Sequence, residues 1–267
     1  LTQSENMLGQ IIDTTPNCVF VKDRSGKYLV ANQGMAVLHN TTPEAFVGKY
    51  DYEIAQKWFE TIDYAEFRKT EQAIIDNKET IFIPEEAFTY PDGTVRWFQT
   101  TKFPFEQEDN PDCILVVSTD ITERIQAKKL EDAVYRIAQA PSHAASLDEL
   151  FARVHAIISD VMEASNFYIA LYDEVTDLLS FPFFIDDMDV QPESTKLGQG
   201  LTEYILRTGK SLLRDRGQHR ELEKSGEIEL VGTDSPIWLG VPLKIQEQVI
   251  GVMAVQHYSD PQAYGPR

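Results

Sequence analysis

The chain has 267 residues, 42% of them hydrophobic and 25% charged, and a net charge of −19. That length suits two modest domains, each able to bury its own core, and the charge repels phosphate backbones and anionic lipid, which argues against nucleic-acid and membrane-surface partners. Only two cysteines occur, Cys18 and Cys113, neither in a CxxC, so a disulfide framework or thiolate zinc site is not expected and a reducing, cytoplasmic compartment fits.

Met7, Leu8, Ile11 and Ile12 recur at helical spacing and predict a helix over 4–13, stopped by Thr14-Thr15-Pro16. Residues 18–21 and 27–31 read as strands joined by Asp23-Arg24-Ser25-Gly26, a hairpin. Short helical pieces follow at 33–39, 43–47 and 52–59, then a longer helix at 64–77 with Phe67, Ile74 and Ile75 on one side. Strands over 80–89 and 94–104 flank Pro91-Asp92-Gly93, whose Asp-Gly pair supplies the positive φ of a tight turn. A polar loop at 106–112 leads to a β-branched strand at 113–119. Two strands, several helices and three strands make an antiparallel α+β order.

A helix from about 122 to 139 carries an apolar edge of Ile125, Leu130, Val134 and Ile137. Pro141-Ser142 ends it, and Ser146 is placed to cap a helix over 147–162. Strands at 166–172 and 178–185 follow, then an acidic loop, a helix at 201–207 and a short strand at 211–213. A loosely structured charged stretch runs to 233, and a hairpin of 237–245 and 249–257 closes around Gln246-Glu247-Gln248. The longest apolar runs, such as 113–117, are far short of a membrane span. The N-terminal LTQSENMLGQ lacks the regions of a signal peptide, and without an initial Met it reads as an excised or processed fragment.

The pieces VFVKDRSGKYLVAN, DGTVRW (92–97) and DITERI (120–125), in this order and spacing, resemble a PAS domain over 1–124. The pieces NFYIALYDEVTDLLSFPFFIDD, GLTEYILRTGKSLL and WLGVPLKIQEQVIGVMAVQHY resemble a GAF domain over 141–267, of the subtype found in multidomain sensor kinases and cyclic-dinucleotide enzymes. Residues 125–140 then become a linking, signalling helix. The resemblance implies an α+β fold of two domains, each a central antiparallel sheet flanked by helices. It implies sensing of a small molecule and dimerisation through flanking helices, hence a homodimer through the linking helix. A GAF domain normally closes with a long C-terminal helix, and only 259–267 remain after the last strand, so that helix is expected to be missing. An output module, such as a histidine kinase or diguanylate cyclase, would lie downstream.

Known chemistries of the two families find little support. The haem-bearing region of a PAS domain, here 51–78, has no histidine, and His39 nearby reads as a polar surface residue. Cys18 precedes Val19-Phe20-Val21, a strand, where the light-sensing flavin subtype has an NCRFLQ-like helix, so it reads as a buried apolar group. The second half has Asp234-Ser235-Pro236-Ile237-Trp238 in place of the DIP-type motif of bilin-binding domains. Haem, flavin and bilin are therefore not expected. Asn166, Phe167, Asp173 and Glu174 are only fragments of the cyclic-nucleotide NKFDE set, lacking its lysine. No cysteine serves a sulfoxide reductase in this half, and Asp186-Asp187-Met188-Asp189 lacks the EF-hand pattern. His155 lacks the context of a phosphoacceptor. No nucleophile–base pair or phosphate-binding loop is visible, so no enzyme is expected in this chain.

Tyr168, Phe181, Phe183, Phe184, Thr202 and Trp238 fall on the strands and helix start that line a GAF pocket. They read either as a ligand-binding wall or as ordinary core. The corresponding PAS set is Phe46, Trp58, Phe67, Phe82 and Trp97, read as core. Asp120 ends the last PAS strand and Thr122 opens the helix, so these two are the signal-relay candidates, with Asp120 accepting from the first turn. The functional expectation is a sensory module that binds a small ligand or relays a signal. Its alternative is a structural spacer with filled cores.

Overall fold

The hairpin turns dictate two separate antiparallel sheets. In the computed structural model, which describes residues 3–55, 63–90, 92–107 and 110–264, the chain divides into units Leu1–Lys128 and Lys129–Arg267. The first contains α1 (Gln3–Thr14), β1 (Cys18–Asp23), β2 (Tyr28–Ala31), α2 (Gln33–Leu38), a 3-10 turn (Pro43–Ala45), α3 (Asp51–Ala55), α4 (Tyr64–Asn77), β3 (Ile81–Thr89), β4 (Val95–Gln107) and β5 (Asn110–Asp120). The sheet order is β2-β1-β5-β4-β3, so the first and last strands pair at its centre.

Alternation along each strand decides what enters the interior. Cys18, Phe20 and Lys22 of β1, Phe98, Thr100 and Lys102 of β4, and Val116 and Ser118 of β5 are buried. Met35, Ala36, Phe46, Ile74 and Ile75 from the helical side join the apolar cluster on this sheet. Asn32 pins the corner between β2 and α2. Its carbonyl accepts from Val19 N at 2.9 Å and Met35 N at 3.0 Å, and its amide donates to Ile12 O and Asn17 O. Within the expected polar loop at 106–112, β4 runs on to Gln107 and β5 begins at Asn110, these two residues being paired, while 108–109 lie outside the described residues. Backbone pairing needs no apolar side chains, so polarity alone mistook a sheet end for a loop.

The second unit is reached through α5 (Thr122–His143) and contains α6 (Leu147–Ser159), β6 (Asn166–Asp173), β7 (Leu178–Ile185), α7 (Leu201–Thr208), β8 (Leu212–Asp215), α8 (Arg216–Lys224), β9 (Ile237–Ile245) and β10 (Gln248–His257). Its sheet order is β7-β6-β10-β9-β8. One cluster joins Phe151 and Ile158 of α6 to Phe167, Ile169 and Val255, with Ile137 of α5 and Tyr264 against it. The other joins Ile205 of α7 to Tyr168, Ala170, Leu179, Trp238, Val252 and Ala254.

Three expectations change here. The helix α5 runs through Pro141 to His143: the proline forgoes its own N–H bond to the carbonyl four residues earlier, and the helix ends two residues after it. Its edge also divides: Ile125, Ala133 and Ala140 are buried, whereas Leu130 and Val134 are exposed. The charged stretch before 233 contains α8, started by a capping box in which Asp215 accepts from Gln218 N at 2.8 Å while Gln218 accepts from Asp215 N. Among the described residues no helix is long and apolar enough to cross a membrane.

Candidate functional site

The sheet face carrying α7 encloses a cavity of about 350 Å³ in the second unit. Tyr168, Phe181, Phe184, Thr202 and Trp238 all line it. The Tyr168 and Phe184 rings stack at 5.9 Å, and Phe181 meets Tyr168 edge-on at 5.8 Å. Tyr168 Oη bonds Thr202 Oγ1 at 2.9 Å and accepts from Trp238 Nε1 at 3.3 Å. Burial lifts the Tyr168 phenol to about 12, against the opposing hydrogen bonds from Thr202 and Trp238. Trp238 lies so close over Gly240 that a Cβ there would come within 2.1 Å of the indole.

Phe183 departs from the expected set. It packs on the other face of the sheet, 5.5 Å from the His155 ring and 5.8 Å from Phe167. The register of β6 and β7 slips between Ile169 and Leu171, so Phe181 and Pro182 together stand opposite Ala170. A bulge accommodates the proline, which has no N–H for the ladder, and it returns Phe184 to the cavity face. His155 is a helix-face residue, as read, held by a 2.9 Å contact of Nε2 to Ala164 O.

Among the lining residues outside the expected set are Arg214 and His219, with the acidic Asp189, Glu203 and Glu229 on the same cavity. Arg214 Nη1 donates to Ser235 O at 2.7 Å and lies 3.5 Å from Asp234. Its Nε and both His219 ring nitrogens are buried and have no hydrogen-bond partner among the described residues. Burial and the Arg214 charge both lower the His219 pKa. The available signal was an arginine at an inward position of the short strand LLRD. The acidic loop before α7 is more ordered than a solvated loop. Asp186 accepts from Gln256 Nε2 at 2.6 Å and Tyr258 Oη at 2.7 Å, and Asp189 accepts from Thr233 Oγ1 at 2.7 Å. No cluster of three or more metal-ligating side chains occurs among the described residues.

A smaller cavity, about 110 Å³, lies between sheet and helices of the first unit. Phe20, Tyr28, Phe67, Phe88, Tyr90 and Phe98 form its aromatic wall. Of the residues read as core there, Phe46 is buried and Phe67 lines the cavity, but Phe82 is exposed and Trp97 half-buried. Trp97 alternates with the inward Phe98, which sets it on the opposite face. Trp58 lies outside the described residues. His39 is not a surface residue: it lines this cavity and is buried, which lowers its pKa to about 4. Cys18 is a buried strand residue whose thiol burial pushes to about 12, so it is an uncharged thiol. Beneath the wall Lys22 Nζ bonds Asp51 at 2.7 Å and Glu71 at 2.9 Å. Tyr28 Oη donates to Asp51 at 2.8 Å, and Arg68 engages the other oxygen of Glu71.

At the end of this sheet Asp120 Oδ1 accepts from Thr122 N at 2.9 Å, and Thr122 Oγ1 accepts from Trp97 N at 2.9 Å. Ile121 N donates to Trp97 O at 2.8 Å. The strand-to-helix junction is thus tied to β4 by both backbone and side chain.

Two antiparallel five-stranded sheets, each with flanking helices, make up the α+β architecture of the two units. The PAS fold matches residues 12–126 and the GAF domain matches residues 144–267. The chain therefore belongs to the PAS and GAF families, a PAS domain followed by a GAF domain. A diguanylate cyclase of Vibrio cholerae serotype O1 is 28% identical over 126 residues, 46% of this chain and 37% of that protein. The match thus spans little more than a third of that relative's length. Among solved structures, the PAS domain of an HTR-like protein from Haloarcula marismortui is 20% identical, covering 45% of this chain and 93% of that one, with a TM-score of 0.37. The PAS domain of Bordetella pertussis BvgS is 21% identical, covering 49% and 96%, with a TM-score of 0.39.

Proposed function

We propose that this chain is the ligand-responsive sensory part of a larger signalling protein, with one ligand seated in the GAF cavity. The observation that carries this reading is the pairing of an aromatic wall with Arg214 Nε and the His219 ring nitrogens, which have no hydrogen-bond partner among the described residues, Glu223 lying 3.8 Å from His219 Nε2. Buried polar groups without partners are costly, and a ligand acceptor in the cavity would offset that cost. A spacer with filled cores has no use for them. The similarity to a diguanylate cyclase favours a cyclase or another signalling enzyme as the output, supplied outside these domains.

In this reading α5 is the signalling helix, with Asp120 and Thr122 coupling the PAS sheet to its first turn. Leu130, Val134 and Tyr135, which are 59–64% exposed, would meet the same helix of a second copy in a homodimer. Native mass spectrometry of the gently purified chain tests the ligand. A retained small molecule that Arg214→Met releases supports the reading. Bare protein that no extract of small metabolites stabilises would favour the spacer.

A further inference from the structure

The PAS cavity holds a cation that the fold itself does not use. Lys102 follows Phe98 and Thr100 on the inward face of β4 and is only 3% exposed. Its Nζ lies 4.0 Å from the centre of the Phe67 ring, and among the described residues it has no hydrogen-bond or ion-pair partner. The contrast is with Lys22, on the same face, whose ammonium bonds both Asp51 and Glu71. Those carboxylates are already engaged, Asp51 by Lys22 and Tyr28, Glu71 by Lys22 and Arg68. Glu86 also lines the cavity but lies beyond ion-pair distance of Lys102. Burial lowers the Lys102 pKa, while the charges of Glu71 and Glu86 oppose that shift. Tyr64 supplies a second unused group on the same cavity: its buried hydroxyl has no hydrogen-bond partner among the described residues.

An ammonium taken out of water is costly unless paired, and stacking on one ring compensates only part of that cost. The remaining wall is mainly aromatic or aliphatic, Phe20, Phe88, Phe98 and Val116 among it, with His39, Tyr90, Thr100 and Ser118 as polar members. The space, about 110 Å³, amounts to roughly nine water-sized positions, the bulk of a single ring bearing one carboxylate. We propose that the PAS cavity is a second binding site, for a small, mainly apolar monocarboxylate. Its carboxylate accepts from Lys102 Nζ, and its body lies against Phe67, Phe88 and Phe98. One unpaired cation matches one negative charge; a dicarboxylate leaves its second charge buried without a partner, and a neutral amide forgoes the charge-assisted bond.

The test is calorimetric titration of the whole chain with benzoate, 4-hydroxybenzoate and phenylacetate, with benzamide as the neutral isostere and phthalate as the dianion. The expected result is one-to-one binding of at least one monocarboxylate. Benzamide and phthalate should bind at least tenfold more weakly. Lys102→Met should weaken the monocarboxylate at least tenfold and Lys102→Arg should retain it, both with an unchanged circular dichroism spectrum. Arg214→Met should leave this binding unaltered, which separates it from the GAF site. The proposal is overturned if none of the three monocarboxylates binds, if benzamide binds as well as benzoate, or if Lys102→Met binds as tightly as the parent. Should Lys102→Met lose its fold, Phe67→Leu stands in: it removes the ring under the ammonium and the body of the ligand, and unchanged affinity there overturns the proposal equally.

Discussion

Lys22 and Lys102 point from the same sheet into the same interior, yet only Lys22 is neutralised by the protein. Removing one partner of a buried ion network leaves the others uncompensated, which typically costs about 3–5 kcal/mol. Lys22→Met should therefore destabilise the PAS domain by that order, read by urea denaturation, because Asp51 would lose its cation and Glu71 would keep only Arg68. His39 makes a pH-dependent contribution of the opposite kind to an ion pair. Its pKa falls from 6.5 to about 4 in the folded protein, so between those values the unfolded chain binds more protons. Stability from the neutral, buried imidazole is full above pH 6.5 and is lost as pH falls towards 4, by up to ~3 kcal/mol. Comparing His39→Gln with the parent at pH 7.5 and 4.5 isolates this part from the carboxylates. The parent should lose more stability than the variant, and equal losses would remove His39 from the account.

At the level of elements, local devices decide where apolar and polar residues go. The bulge at Pro182 sends Phe184 rather than Phe183 into the GAF cavity. The capping box at Asp215 holds α8, and with it His219, against that cavity. Asp215→Ala should cost about 1 kcal/mol in the second unit, measured by denaturation. It should also weaken any ligand bound near His219, since the helix that presents the ring would fray. The helix α5 is the remaining element with an unassigned apolar surface. Val134→Glu places a charge among Leu130 and Tyr135, and the expected result is a shift towards monomer in sedimentation. If the variant sediments as the parent does, the helix is not where two copies meet. These devices also mark where local sequence misleads. The D-x-x-Q signal of α8, Asp215 to Gln218, lies within a run of charged residues whose polarity masks the cap. The Phe181–Phe184 aromatics looked equivalent because a bulge has no signature beyond the proline that accompanies it.

For the molecule as a whole, two units with separate cores should unfold separately. Calorimetry is expected to give two transitions, with Lys22→Met lowering one and Asp215→Ala the other; a single transition that both variants shift would show one cooperative body. The order of elements, the hairpins and the tandem of two sensory domains could be read from the chain itself. Each rests on residues close in sequence, such as Asp92-Gly93 at a turn or the alternation in 113–119, and local geometry follows from local chemistry. Five of the six residues expected at the GAF pocket line the cavity for the same reason, since strand parity places Tyr168 and Trp238 inward. The PAS cavity was not. Whether Lys102 is paired depends on Asp51 and Glu71 being taken by Lys22, and whether His39 is buried depends on Phe46 and the sheet closing over it. Those outcomes are settled by which groups from distant segments compete for one partner in a shared interior, and only the tertiary structure holds that competition.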